Sequence, residues 1–267
     1  MKVIEYRIPY KYGQSIKILP IFDIHFGSVG CDVAALKRDL AQVDDGSTYI
    51  IGGGDWMDSV ITSDTKRYRK SSDGSDSKED DIIDQQIENI YDIVKQYSTK
   101  IIGLGDGNHE DNITKRCGTN PMKRLCKMLG TEFLSYSSMI KVTMSENNAR
   151  GRTVIVREHH GWGGGSRTIG ADLTKYSKDV SNWSADIFLY GHVHRKQSDK
   201  VPRLGLSGTQ LISKPKTLVI CGTYLKTYLN GESPSYSEKE GYPPTEIGAP
   251  TVIIKPTSTW VDIKVDN

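Results

Sequence analysis

"IIGLGDGNHED", residues 101 to 111, decides how this chain is read. An apolar run of strand type ends in closely spaced glycines, and Asn108, His109 and Glu110 then stand in a row. Such a run has no packing value, because its side chains cannot all face one core. An amide and an imidazole side by side at the end of a strand point to a site.

Four other segments have the same design. "SIKILPIFDIH" ends in Asp23 and His25, and "TYIIGGGDWMDS" ends in Asp55 and Asp58. "RTVIVREHH" ends in His159 and His160, and "DIFLYGHVH" ends in His192 and His194. All 6 histidines of the chain lie in these segments. Singly, each has an ordinary explanation: D-x-H is common, "GGGD" reads as a turn, and a lone His beside a strand is usually hydrogen-bonded. The ordered set does not have one.

The residue types fit metal chemistry. Alternate residues of a strand point the same way, so D-x-H and H-x-H can each aim two donors into one site. Imidazole, carboxylate and amide oxygen suit manganese, iron, zinc, nickel or cobalt, and the lack of thiolate donors argues against structural zinc. There are too many donors for one ion. Two ions ~3.5–4 Å apart would use them, with a carboxylate bridging through its two oxygens. Two divalent cations, two aspartates and a bridging hydroxide leave a net positive centre that attracts phosphate. A neutral Asn108 in place of a third carboxylate preserves that excess.

The rest of the chain reads as a layered α/β domain with sheets sandwiched between helices. "VIEYRIPY", "KYGQ" and "SIKILPIFDIH" suggest an N-terminal β-hairpin. Asp32 is a candidate N-cap for a helix with Val33, Leu36, Leu40 and Val43 on one face. A second helix, about 80–97, puts Ile83, Ile87, Ile90, Val94 and Tyr97 in phase. A third runs from Asn120 as N-cap through Pro121 to Gly130, and a fourth lies around 172–183. "TLVICGTYL", "PTVIIK" and "WVDIKV" read as late strands. Residues 62–81 read as an exposed polar loop or lid and 230–250 as a long loop, so 1–267 is expected to be one domain.

Composition excludes several classes. Of 267 residues, 36% are hydrophobic and 25% charged, as in ordinary globular proteins. No apolar run approaches the ~20 residues that span a bilayer. The start, "MKVIEYRIPYKYGQ", has no signal-peptide core, so a cytoplasmic location is expected, with neither membrane nor obligatory protein partner. A net charge of +2 does not argue for nucleic acid, and "KRYRK" (66–70) and "KRCGTNPMKRLCK" (115–127) read as solvated faces. Cys31, Cys117, Cys126 and Cys221 lack C-x-x-C spacing and read as reduced thiols.

The ordered set D-x-H, G-D-x-x-D, G-N-H-[DE], H-G and G-H-x-H, spanning residues 23 to 194, resembles the calcineurin-like metallophosphoesterase superfamily. The resemblance implies a four-layer α/β/β/α sandwich of two mixed sheets flanked by helices. It implies two divalent cations, manganese foremost, with iron, zinc, nickel or cobalt as alternatives. One would be held by Asp23, His25 and His194, the other by Asn108, His160 and His192, with Asp55 between them. His160 is chosen because the family's His directly precedes Gly; His159 is the alternative. His109 would be the non-ligand catalytic residue beside the leaving oxygen, oriented by the Asp58 carboxylate, and a bridging hydroxide would attack phosphorus.

Departures narrow the branch. Ser59 stands where phosphoprotein phosphatases have Arg, and Asp58 where purple acid phosphatases have a Tyr ligand. "DIHFG" with "GHVH" is closer to the phosphodiesterase and repair-nuclease branches, and "HHGWGGGSRTIG" is similar to phage and prophage enzymes. The implied function is hydrolysis of a nucleotide or nucleic-acid phosphodiester. The alternatives are a phosphomonoesterase or nucleotidase, and an inactive scaffold. "GWGGGSRTIG" is either a flexible turn or a set of backbone N–H groups that, with Arg167, meets the substrate phosphate. Glu110 and Asp111 read as structural residues that either open a helix or hold the ligands from behind, and Trp56 and Trp162 as core residues rather than stacking platforms.

Overall fold

Alternate side chains of each central strand belong to different layers. In β2 (Ile16–Ile21), Ile16 and Ile18 face one core while Leu19 and Ile21 face another. In β8 (Ile187–Tyr190), Ile187 and Leu189 join the first core, and Phe188 and Tyr190 join a third. Strands buried on both faces lose the polar–apolar alternation of a half-exposed sheet and read as continuous apolar runs. This computed structural model describes residues 1–61, 82–146, 151–231, 234–257 and 260–267. The expected 62–81 lid and the "KRYRK" cluster lie outside the described residues.

The remaining strands are β1 (Lys2–Pro9), β3 (Thr48–Gly52), β4 (Ile101–Gly105), β5 (Phe133–Ser135), β6 (Ser137–Ser145), β7 (Arg152–His159), β9 (Lys196–Val201), β10 (Leu204–Ser207), β11 (Gln210–Ser213), β12 (Lys216–Cys221), β13 (Thr251–Pro256) and β14 (Val261–Asp266). One mixed sheet has the order β1-β6-β7-β8-β12-β9, the other β14-β13-β2-β3-β4-β5. The two sheets share the core of Ile18, Ile51, Val142, Val156, Leu189 and Val219.

Helices cover the outer faces. α1 (Val33–Leu40), α2 (Ile82–Val94) and α4 (Pro121–Leu129) pack on the second sheet through Leu36, Ile87, Ile90 and Leu125. α5 (Ala171–Val180) packs on the first through Tyr176 and Val180. The result is the four-layer α/β/β/α sandwich. The helix punctuation works as read: Asp32 Oδ1 accepts the Ala35 N–H at 2.9 Å, and Asn120 Oδ1 accepts the Lys123 N–H at 2.8 Å. Gly130 ends α4 in the left-handed region. No helix among the described residues is long and apolar enough to cross a membrane.

The N-terminal hairpin is not formed. β1 pairs in parallel with β6 over eight residues, while β2 lies in the other sheet between β3 and β13. Ile8 at the end of β1 and Ile16 at the start of β2 enter the same inter-sheet core, so "KYGQ" carries the chain between layers. β5, β6 and the β9–β11 region were not legible in the sequence, and of α3 (Asn108–Cys117) only the opening at Glu110 and Asp111 was. The 230–250 loop contains one short helical turn, Tyr236–Lys239. The basic residues of 115–127 are solvated on α3 and α4, where Lys115 pairs with Asp111 and Arg124 with Asp84. Cys126 and Cys221 are buried free thiols, Cys31 is half-buried, and Cys117 is exposed.

Candidate metal centre

The parallel strands β2, β3 and β4 of one sheet and β7 and β8 of the other end on the same side of the sandwich. Asp23 and His25 follow β2, Asp55 and Asp58 follow β3, and Asn108 opens α3 after β4. His160 follows β7, and His192 and His194 follow β8. This is the edge where open α/β sheets place their ligands.

The donors do not reach the site by strand alternation. They lie beyond the strand ends, and the backbone turns them. Asp23, His25, Asp55, His192 and His194 all have left-handed φ, between 50° and 71°. Among the described residues only Ser59 and Ser135 share this with them outside glycine. Left-handed backbone is costly for a residue with a Cβ and persists where surrounding bonds hold it. Here the Asp23 N–H donates to the Gly54 carbonyl at 3.1 Å and the His25 N–H to the Asp55 carbonyl at 2.9 Å. Glu110, fully buried, accepts the N–H groups of Asp55, Met57 and Gly107, each at 3.0 Å. The β3 and β4 loops touch through glycine: a Cβ on Gly54 would lie 2.1 Å from the Gly107 backbone.

Three groups of donor atoms converge, each within 4.8 Å: Asp23, His25 and His194; Asp55, His160 and His192; and His25, Asp55 and His109. His25 Nε2 lies 3.0 Å from His194 Nε2, and His160 Nε2 lies 3.0 Å from Asn108 Oδ1. Neighbouring donors on an octahedral ion at about 2.1 Å stand about 3 Å apart, so these spacings suit a shared cation. Asp55 Oδ2 lies 3.3 Å from His160 Nε2 and 3.9 Å from His25 Nε2, between the two groups. Its other oxygen accepts the His109 N–H at 2.9 Å. One oxygen of Asp55 is therefore available to both groups, where the sequence suggested two. Asp23 splits its oxygens similarly: Oδ2 accepts the His192 N–H at 2.8 Å, and buried Oδ1 accepts no hydrogen bond among the described residues and lies 3.7 Å from His194 Nε2.

The electrostatics fit a cation. Burial opposes charge on Asp55, yet His160, His109 and His25 hold its carboxyl well below the usual range. Burial also opposes charge on His160, but Asp55 and Asp23 raise it to about 9. Burial pushes His192 down to about 4, and burial with His25 puts His194 well below its ordinary value. Asp55 is therefore anionic and His192 and His194 are neutral imidazoles with lone pairs to coordinate, while His160 would exchange its proton for a cation.

His109 lines a cavity of about 720 Å³. Its Nδ1 lies 2.5 Å from the Asp58 carbonyl oxygen, so Nδ1 carries a hydrogen, and Nε2 is turned toward Asp55 Oδ2 at 3.9 Å. The orienting group expected at Asp58 is thus chiefly its backbone. The Asp58 carboxylate is shared, 3.6 Å from His109 Nδ1 and 3.5 Å from His25 Nδ1. His160 points into the centre, whereas His159, the last residue of β7, points away: its Nδ1 accepts the Gly161 N–H, and its ring meets Trp162.

Arg167 does not line the cavity. It is exposed, and its guanidinium donates to the Glu240 carbonyl at 2.7 Å, clipping the glycine loop to the 230–250 segment. The arginine that does line the cavity is Arg195, directly after "GHVH", a position the sequence reading passed over. Gly164, Gly165 and Ser166 of the glycine loop line it too. Trp56 is fully buried as expected, but Trp162 is no core residue: it is 40% exposed and only leans on Tyr176 and Tyr190.

The five motifs quoted from the sequence thus bring their donors to one edge of the sandwich. No family model matches the sequence, and no curated protein matches it. Among solved structures, the chain is similar to calcineurin-like phosphoesterase YfkN from Bacillus subtilis (11% identity, 95% of this chain and 90% of that one, TM-score 0.38). It is also similar to a metallophosphoesterase from Sphaerobacter thermophilus (12%, 94% and 89%, 0.38) and to GAP50, the anchor in the inner membrane complex of Plasmodium (9%, 94% and 84%, 0.42). Overlap at these scores is loose, and the reading of the site rests on its own geometry.

Proposed function

We propose that this chain is a dinuclear metal-dependent phosphoesterase acting on a phosphodiester of nucleotide or nucleic-acid type. The observation that carries the reading is the placing of Asp55 Oδ2 between two separate donor groups. A single-ion site has no use for the second group. Asp23, His25 and His194 would hold one ion, and Asn108, His160 and His192 the other, with Asp55 shared. Manganese is the first candidate, ahead of iron, zinc, nickel and cobalt. When bound, two such ions supply Lewis acidity and water made acidic enough to ionise near neutral pH.

The chain's own residues do the rest. The Asp58 carbonyl fixes the His109 ring, so that Nε2 keeps one direction in the cavity. As the oxygen of water bonds to phosphorus, the bond to the departing alcohol breaks. The proton that neutralises the departing oxygen comes from Nε2 of His109 in its doubly protonated form, and the proton that water loses on attack restores it. A diester is favoured over a monoester because the cavity continues beyond the donors along an apolar wall, room that a second ester group would use.

The test is to strip the metals, restore manganese, and compare a bis-aryl phosphate, an aryl monophosphate and DNA. Diesterase activity should dominate. Turnover of the monoester alone would favour the phosphatase or nucleotidase reading. No hydrolysis with any of the five metals would favour an inactive scaffold.

A further inference from the structure

The cavity's far wall comes from residues within 225–229 and 234–245, stretches with no motif. Hydroxyl-to-carbonyl bonds lace it into one piece. Thr245 donates to the Leu225 carbonyl at 2.9 Å, Tyr228 to Tyr242 at 2.8 Å, and Ser235 to Thr227 at 2.8 Å. Leu225, Leu229, Tyr242 and Pro243 of this segment line the cavity, giving it an apolar side with one aromatic ring.

The near wall carries a cation. Half-buried Arg195 donates from Nη2 to the Ser166 carbonyl at 3.1 Å. Its other N–H donors meet no protein acceptor among the described residues. The cavity's other cations are placed differently: Lys226 is tied to Asp32 at 2.8 Å, and Lys239 is exposed. A guanidinium held by one bond, one residue from His194, has planar donors to offer an anionic oxygen.

We infer that Arg195 grips a nonbridging phosphate oxygen beside the metal centre and that the Leu225–Tyr242 wall takes one nucleoside-sized group, making the substrate a compact nucleotide phosphodiester. This rests on the phosphoesterase reading. The volume of about 720 Å³ suits one small ligand, and a nucleobase has the flat face that Tyr242 would stack on. A duplex keeps its bases stacked inside, away from such a wall.

The experiment is calorimetric binding to the manganese-loaded chain, with inorganic phosphate, thymidine 5′-monophosphate and a short DNA duplex as probes. Arg195→Met should weaken phosphate and the nucleotide alike by roughly tenfold or more, and Arg195→Lys should restore part of the loss. Tyr242→Ala should weaken the nucleotide several-fold and leave phosphate unchanged. Arg124→Met, an exposed charge on α4, should change neither, and thermal melts check that each variant is folded. Unchanged phosphate binding in Arg195→Met overturns the proposal. So does equal weakening of both probes in Tyr242→Ala, or duplex binding tighter than the nucleotide. Hydrolysis of a bis-aryl phosphate by the same preparation is read separately: no turnover with these binding shifts intact rejects the phosphoesterase and keeps the pocket assignment.

Discussion

On one side of the cavity, Asp23, His25, Asp55, His192 and His194 hold left-handed backbone, and buried Glu110 ties down the loop that carries Asp55. On the other side, Leu225, Leu229 and Tyr242 sit on a segment fastened mainly by side-chain hydroxyls to main-chain carbonyls. The first wall is rigid because its donors must meet within a few tenths of an ångström. The second needs only shape and apolar surface, which many sequences supply. The chemistry is thus confined to residue types that cannot vary, and selectivity falls to a wall that can.

Substitutions should separate the two walls. His160→Ala removes the side chain that meets both Asp55 and Asn108, and turnover should fall roughly a thousandfold or more with loss of bound metal. Metal analysis beside kinetics checks this. His109→Ala should keep its metals and lose about 10²–10⁴-fold in kcat on alkyl leaving groups, and much less on p-nitrophenolate, which needs no proton. Equal losses on both leaving groups would remove His109 from proton transfer.

Glu110→Ala strands three backbone N–H groups under the centre and should cost roughly 3–5 kcal/mol in denaturant unfolding. On the other wall, Thr245→Val breaks one lacing bond. It should cost about 1 kcal/mol and raise KM with metal content unchanged.

The smallest effect is expected at the far end of β3. Asp45 accepts the N–H groups of Ser47 and Thr48 and pairs with Lys17 at 2.9 Å. Against a burial cost, Lys17 and these N–H groups hold its carboxyl at about 2. A depressed carboxyl stabilises the fold above its unfolded value near 4, and that stability is lost as pH falls toward 2. Asp45→Asn should flatten the acid limb of a pH–stability curve by less than about 1 kcal/mol, since the group is largely solvated. Metal content and KM should not change.

The legibility of the sequence follows the same division. Five strand ends, six histidines and two helix caps could be read because each demands particular residues. The reason given for D-x-H and H-x-H did not hold, because no sequence rule announces left-handed backbone at Asp23 or His194. Nor does the sequence show what Gly107 of "GDGNHED" is for: it is extended and serves the close approach of Gly54. The N-terminal hairpin failed because a turn between two apolar runs cannot show whether the runs share a sheet or face each other across a core. Arg167 stood out for its glycine-rich setting, yet it is exposed and bonded to the Glu240 carbonyl, while nothing in the sequence singles out Arg195.

The central claim is that Asp55 joins two ions in one centre. Manganese should be titrated into metal-free protein, with ions per chain counted and spin coupling followed by electron paramagnetic resonance, in the native chain and in Asp55→Asn. The account predicts two ions per chain with an exchange-coupled signal, and loss of coupling with at most one tightly held ion in the variant. One ion in the native chain, or two ions equally coupled in both proteins, would contradict it.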